Sequence, residues 1–342
     1  MSERSARTIR LSSLRERWLG AKRRGSAKRL LAAVTGAAIA IAVAAPWMVD
    51  DYTTATLARL LVLALVGVSV ALLTGVTGLP TLGQTAPFAA GAYAAAQLDT
   101  ASAPVQLVAA VGVGAGFALL TAPLVVYARG VVVLMITLAI GELAMTVAGR
   151  WKSVTGGTDG LIATATFDTD RTRYLYALAV VAVIAALVLL ALRSPAGLLL
   201  RASRDDEART RASGHPVTAY LTGAYVAAGG IAGAGGALLV TTQQYVSPAD
   251  FSFDIAALLL LGVVIGGAGS MLGAVAGTAL VFAARDWLSS LMPGQAPLLL
   301  GAMFVLTAYL LPRGVAGFDW RRIRRPGRGA VRRATQRANQ EA

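Results

Sequence analysis

The chain reads as an all-α protein, a polytopic transmembrane helix bundle of about ten spans, and three observations predict it. Of its 342 residues, 56% are apolar and only 14% are charged. Uncharged apolar runs such as Tyr174 to Leu192 recur, at a length that fits a bilayer core of about 30 Å. The basic charge is pushed to the ends: of 31 Lys and Arg, ten precede Leu30 and nine follow Leu311. Backbone groups in lipid must be paired within their own segment, so these spans are helices.

The spans follow in order. A basic tail, residues 1–30, is too long and too basic for a cleaved leader, so Leu31 to Val49 is expected to remain as the first span. Leu57 to Thr74 comes next. Leu82 to Leu98 is short, and Gly83, Gln84, Pro87 and Gly91 break its helical and apolar character. Irregular backbone survives at membrane depth only where protein or a water-filled cavity covers it, so these four are candidate helix-break or pathway residues. Val105 to Tyr127, Gly130 to Ala148, Tyr174 to Leu192 and Val217 to Thr242 are full-length spans. Ile255 to Ala268 is short again, and its glycine run could join it to Met271 to Trp287 as one re-entrant pair. Pro297 to Leu311 closes the transmembrane domain, residues 31–311, before a second basic tail, 312–342. Eight to ten spans are therefore expected. An even number puts both tails and the Arg-rich loop 193–216 in the cytoplasm, with Gly149 to Arg173 and Gln243 to Asp254 outside.

Small residues stack where helices are expected to meet. Gly229 and Gly233 are four apart, as are Gly262 and Gly266, and then Gly269, Gly273 and Gly277. Such faces let helix backbones approach closely in lipid.

Glu142 lies deep within an apolar span, where an ionised carboxylate costs about 2.5–3.5 kcal/mol on insertion scales. A lipid-facing position is not expected. Two readings stay open: a carboxylate hydrogen-bonded between helices, and a polar group lining a solute path.

Arg193 to Pro216 carries five Arg. Within it, Arg201 to Pro216 reads as one helix outside the membrane. Ser203 would cap it, Asp205, Asp206 and Glu207 would fill its first turn, and Arg209 and Arg211 its last. The pairs Asp205 with Arg209 and Glu207 with Arg211 have the favourable acid-first spacing. Gly214 would end the helix and Pro216 start the next. The loop serves either as a solvated connector or as a docking knob for a soluble partner.

Several functions find no support. Nothing in the tails interleaves aromatics with the basic residues, so nucleic acid is not an expected partner, whereas anionic membrane lipid is. No Cys is present, and the only His, His215, abuts a proline in the loop, so no metal site is expected. Gly20 to Gly25 begins like a phosphate loop, but Ser26 and Ala27 stand where Lys and Ser or Thr are needed. The chain is therefore not expected to be an enzyme, and no cofactor is expected in it.

Five blocks, taken together, resemble one family. GVVVLMITLAIGE from Gly130 to Glu142, followed by WKSVTGGTDGL from Trp151 to Leu161, is similar to the LivM branch of the branched-chain amino acid ABC transporter permeases. LGQTAPFAAGAY from Leu82 to Tyr93, Arg201 to Gly214, and VSPADFSF from Val246 to Phe253 with Gly262 to Gly277 agree in order. The resemblance implies a permease subunit of an importer, for branched-chain or related amino acids, in a bacterial plasma membrane. It implies alternating access driven by two cytoplasmic ABC ATPases that bind the ATP, with a second permease subunit and an extracytoplasmic solute-binding protein as partners. Arg204, Asp205, Asp206, Glu207, Arg209 and Gly214 would then couple to the ATPases. Permeases for urea, amides or other small solutes share this scaffold. An ion-coupled secondary transporter, with Glu142 as its ionisable residue, and a structural or lipid-binding membrane protein are the competing classes.

Overall fold

The computed structural model describes residues 42–98, 102–164, 167–267, 269–291 and 301–302. Both basic tails, most of the expected first span and nearly all of Pro297 to Leu311 lie outside the described residues. The chain divides at Thr54 into two units, and residues 42–48 of the first are helical. The architecture below is that of the second unit, Ala55 onward.

Helix α1 (Asp51–Ala71) runs on as a π-helical segment, Leu72–Thr77, that stops at Gly78 in the left-handed region (φ 76°). The remaining helices are α2 (Thr85–Gln97), α3 (Ala103–Val126), α4 (Val131–Arg150), α5 (Asp170–Arg193), α6 (Pro195–Asp205), α7 (Glu207–Ala212), α8 (Val217–Gln243), α9 (Phe253–Gly266) and α10 (Met271–Leu291). A single helical turn, Lys152–Thr155, and two 3-10 turns, Gly157–Asp159 and Pro248–Phe251, decorate the loops. Among the described residues, seven helical stretches are long and apolar enough to cross a membrane: Asp51–Thr77, Ala103–Val126, Val131–Arg150, Asp170–Arg193, Val217–Gln243, Pro248–Gly266 and Met271–Ser290. The all-helical membrane class predicted from composition is the class observed.

Leu82 to Leu98 departs from a plain span. Its helix, α2, has 13 residues, about 20 Å at 1.5 Å per residue, too short to cross alone. The chain reaches it through non-helical backbone from Leu79 to Gln84, most of it buried. That backbone finds partners inside the protein: the Leu82 amide donates to Thr137 Oγ1 of α4 at 3.2 Å, and the Gly83 amide to Thr81 Oγ1 at 3.1 Å. Pro87 does not break the helix. It stands third in α2, where a first-turn N–H has no intrahelical acceptor in any case.

Helix α8 is the centre of the bundle, buried along most of its length and packed against α3 and α2. Its glycines make this possible. A Cβ on Gly229 would stand 2.8 Å from the Gly114 carbonyl oxygen of α3, and one on Gly91 of α2 would meet the Gly233 backbone at 2.5 Å. Gly236 faces the Phe88 carbonyl and Ala92 amide of α2 with equally little room. Gly91, read from sequence as a helix-break candidate, therefore sits at a close approach of α2 and α8.

Helices α9 and α10 pair across a turn at Gly267, whose φ is 95°. Gly262 abuts Thr278, Gly266 abuts Gly273, and Gly277 faces Gly262 and Gly266, whereas Gly269 has nothing within 4 Å of its Cβ position. With its 3-10 turn, the first partner runs 19 residues, Pro248–Gly266. The expected re-entrant pair is thus two elements each long enough to span. Phe251 of that turn is buried against α2, edge-on to Phe88 at 5.0 Å and tilted against Tyr93 at 5.8 Å.

One end of the bundle is closed by short β pairing. Strand β1 (Leu161–Ile162) lies antiparallel to β2 (Tyr245–Val246), with Leu161 opposite Val246. Tyr245 Oη donates to the Asp159 carbonyl at 3.0 Å, and Gln97 Nε2 donates to the Val154 carbonyl. The loops 151–169 and 244–252 and the C-terminus of α2 therefore share an end. The charged loop lies with Gly75, Arg129 and Thr218 at the opposite helix ends, those where the π segment and α3 stop and α4 and α8 start.

Candidate functional site

The charged loop is two helices, not one. The expected cap at Ser203 is three residues early: Ser203 is buried inside α6, and its hydroxyl donates back to the Leu200 carbonyl at 2.8 Å. The break falls at Asp206, whose extended backbone (φ −156°, ψ 96°) starts α7 and whose Oδ1 accepts from the Arg209 amide at 3.0 Å. Asp at a helix start satisfies an otherwise orphaned N–H, which is why the chain restarts here. Among the described residues, Asp205 forms no ion pair with Arg209. Arg209 instead approaches Asp206 at 3.4 Å, while Glu207 and Arg211 pair at 2.7 Å as spaced. Gly214 follows α7 in the left-handed region (φ 84°), and Pro216 precedes α8.

Three contacts tie this loop to the bundle. Arg204 Nη1 donates to the Gly75 carbonyl inside the π-helical segment, and its aliphatic stem lies over Gly78. A Cβ on Gly78 would stand 2.9 Å from Arg204 Cγ. Glu207 accepts from Arg129 Nη2, in the α3–α4 link, at 2.5 Å and shares the same oxygen with Arg211. Arg211 also reaches Thr218 at the start of α8, at 3.3 Å. These ion pairs are partly exposed, and pairs of that kind contribute about 0–1 kcal/mol each. Their use is geometric: one short helix pair holds the ends of three bundle elements. Beside it, α6 and α8 form a shallow, open apolar groove lined by Ala196, Leu200, Ala219, Tyr220, Gly223 and Ala224.

The segment Arg204 grips leads directly to the buried break. From Gly78 the chain runs inward to Gln84, which is 1% exposed. Gln84 Oε1 accepts from Ser69 Oγ at 3.3 Å, while its Nε2 has no hydrogen-bond partner among the described residues. A buried donor left unpaired costs about 1–3 kcal/mol. Gly83 is held so close that a Cβ would stand 2.6 Å from the Thr137 carbonyl oxygen. Ser69, Thr81, Thr85 and Thr137 are buried polar residues around the same break. Sequence reasoning named Gly83 and Gln84 but missed Thr137 and Arg204's grip on the π segment. Thr137 reads as an ordinary residue of an apolar run, and only the fold brings it to a loop 55 positions earlier.

Glu142 is not where the hydrogen-bonding expectation put it. It stands on the exposed face of α4, and among the described residues no hydrogen bond or ion pair reaches it. Thr137, five residues earlier, faces inward, so the two polar groups of this helix point to different sides. The reading of a carboxylate hydrogen-bonded between helices finds no partner for Glu142 among the described residues. Among the described residues, no group of three or more His, Asp or Glu is placed to hold a metal ion.

Long apolar helices around buried irregular backbone, with a charged helix pair at one end, make this a polytopic membrane protein. The family model described as "Branched-chain amino acid transport system / permease component" matches residues 52–308, and the chain belongs to that family. It is 28% identical over 314 residues to the high-affinity branched-chain amino acid transport system permease protein LivM of Salmonella typhimurium strain LT2, covering 82% of this chain and 73% of that one. Its identity to the protein of the same name from Escherichia coli strain K12 is also 28%, over 317 residues, with the same coverage. No solved structure matches.

Proposed function

We propose that the chain is the transmembrane permease subunit of an ABC importer for branched-chain or related amino acids, working by alternating access in a bacterial plasma membrane. The observation that carries this reading is the triple attachment of the α6–α7 pair. A soluble ATPase that moves this pair pulls at once on the π-helical segment through Arg204, on the α3–α4 link through Glu207 and Arg129, and on α8 through Arg211. An apolar groove between α6 and α8 lies beside the moving pair. The π segment passes the displacement to the Gly78–Gln84 backbone, where the Gln84 amide, without a partner among the described residues, would donate to a solute carboxylate or a water. In this reading the α6–α7 pair and both basic tails face the cytoplasm, and loops 151–169 and 244–252 meet an extracytoplasmic solute-binding protein. The relatives' names make branched-chain amino acids the first solutes to test.

The test is reconstitution of the chain with the ATPases, second permease and binding protein encoded beside it, followed by uptake of radiolabelled leucine with and without ATP inside the vesicles. ATP-dependent uptake supports the reading. ATPase association with uptake of a different solute would move the substrate assignment and leave the rest. Uptake driven by an ion gradient without any ATPase would replace it with the secondary-transporter reading.

A further inference from the structure

The end of α1 is wound in a register that its own sequence cannot complete. In π winding each carbonyl accepts from the amide five residues on, against four in an α-helix. For the Gly75 carbonyl that amide would belong to Pro80, which has no N–H. The Leu79 amide, which α winding would bring to Gly75, instead donates to the Leu73 carbonyl at 3.0 Å. The Gly78 amide and Thr77 Oγ1 donate to the same oxygen, the hydroxyl at 2.6 Å. Three donors thus crowd an acceptor with two lone pairs. Gly75 is buried, and Arg204 Nη1 bonds its carbonyl from α6. Gly78 ends the segment in the left-handed region, under the aliphatic stem of Arg204. Gly78 and Arg204 are both exposed, so the turn has room to rewind and Arg204 can be drawn away.

We infer that Arg204 is a positioning residue that holds the end of α1 in π register, and that its withdrawal rewinds this turn into an α-helix and turns the Leu79–Gln84 backbone. The inference rests on the importer reading and names how movement of the α6–α7 pair reaches the buried break. With Arg204 in place the Gly75 carbonyl is satisfied from outside the helix, and the π turn persists. Without it a buried carbonyl is left bare, and the Leu79 amide satisfies it by α winding. Rewinding also relieves the crowded Leu73 oxygen, because the amides of Thr77, Gly78 and Leu79 then bond to Leu73, Thr74 and Gly75 in turn. Pro80 stops the α-helix there and confines the change to one turn. A one-residue change of register turns the chain that follows by about 100° and moves it by about 1.5 Å. The backbone that carries Gly83 and Gln84 begins directly after it. The two windings differ in one contact that a partner protein can remove, which is what a two-state coupling element requires.

The measurement uses the full-length chain, isotope-labelled at glycine carbonyl carbons and leucine nitrogens, in proteoliposomes with the unlabelled transport proteins encoded beside it. The chain has three Gly–Leu pairs, Gly78–Leu79, Gly160–Leu161 and Gly197–Leu198. A magic-angle-spinning carbon–nitrogen correlation therefore shows three signals, and Leu79→Ile assigns the first. Its carbonyl shift separates a left-handed Gly78 from a helical one, while Gly160–Leu161, next to the β pairing, reports an intact fold. The expected result is that Arg204→Met moves at least half of the Gly78–Leu79 signal to the helical position and Arg204→Lys leaves it in place. Trapping the parent complex with ATP and vanadate should move it as Arg204→Met does. A signal that stays left-handed in the trapped parent complex with ATPases bound overturns the inference, and so does an equal shift in Arg204→Lys and Arg204→Met. If Arg204→Met loses the Gly160–Leu161 signal, the trapped parent complex alone decides. If no ATPase associates with the chain, the importer reading falls, and the contrast between Arg204→Met and Arg204→Lys decides the winding.

Discussion

At the scale of single residues, glycines and one glutamine separate packing from function. Gly233 lies where an added Cβ would run into the Ala110 carbonyl of α3, whereas Gly112 on α3 has nothing within 4 Å of that position. Gly233→Ala should therefore destabilise the protein by about 1–3 kcal/mol through overpacking. Gly112→Ala should be neutral or stabilising by up to about 1 kcal/mol through helix propensity. Thermal melting of the two variants in detergent, against the parent, checks the contrast, and equal melting temperatures would contradict the packing described. Gln84 works the other way. Its amide nitrogen is buried and has no partner among the described residues, and Ser69 keeps its bond to the Val66 carbonyl at 2.7 Å without it. Gln84→Met should leave stability unchanged or raise it by about 1 kcal/mol, since an unsatisfied donor is removed. In the importer reading it should lower ATP-dependent uptake at least ten-fold. Uptake unchanged in a well-folded variant would remove Gln84 from the solute path.

At the scale of elements, the α6–α7 pair is held by charge at modest energy and in definite geometry. Reversing Glu207 to Lys removes its contacts to Arg129 and Arg211. For partly exposed pairs this should cost no more than about 1 kcal/mol of stability. In the importer reading, uptake should fall several-fold while the ATPases stay bound. The charge-swapped double variant Glu207→Lys with Arg129→Glu should recover part of that loss, and a vesicle uptake assay reads the recovery. If the double variant is no better than the single ones, the Glu207–Arg129 contact does not transmit motion. The loop also shows what spacing can and cannot reveal. Its polarity, acids before arginines, was legible, and Glu207 pairs with Arg211 as spaced. The break at Asp206 was not, because Ser203 and Asp206 are both good caps, and the choice fell to the apolar face of α6. Gly197, Leu200 and Ser203 are buried there, which extends that helix through Ser203.

At the scale of the whole molecule, loops 151–169 and 244–252 are joined by β pairing, and the charged loop binds the opposite helix ends. With the charged loop cytoplasmic, as proposed, Thr158→Cys should react with an impermeant maleimide in intact cells, and Ala208→Cys only after the cells are opened. Labelling of both from outside would refute the topology. The sequence by itself determined the class, the family and the approximate limits of several spans, because the length of an apolar run is set by the thickness of the bilayer and needs no tertiary partner. Val217 to Thr242 read from sequence and Val217–Gln243 in the structure differ by one residue. It also marked Gly83 and Gln84, since breakers inside an apolar run are visible without a fold. Tertiary structure alone decided which faces are inside. In a lipid-embedded helix every face is apolar, so periodicity carries little information about orientation. Thr137 and Glu142 look equivalent as polar residues of one span. Only the packing of α2 against α4 shows that Thr137 turns inward to hold the buried backbone while Glu142 is left on the surface, because a side chain's partner is chosen by which helix lies beside it.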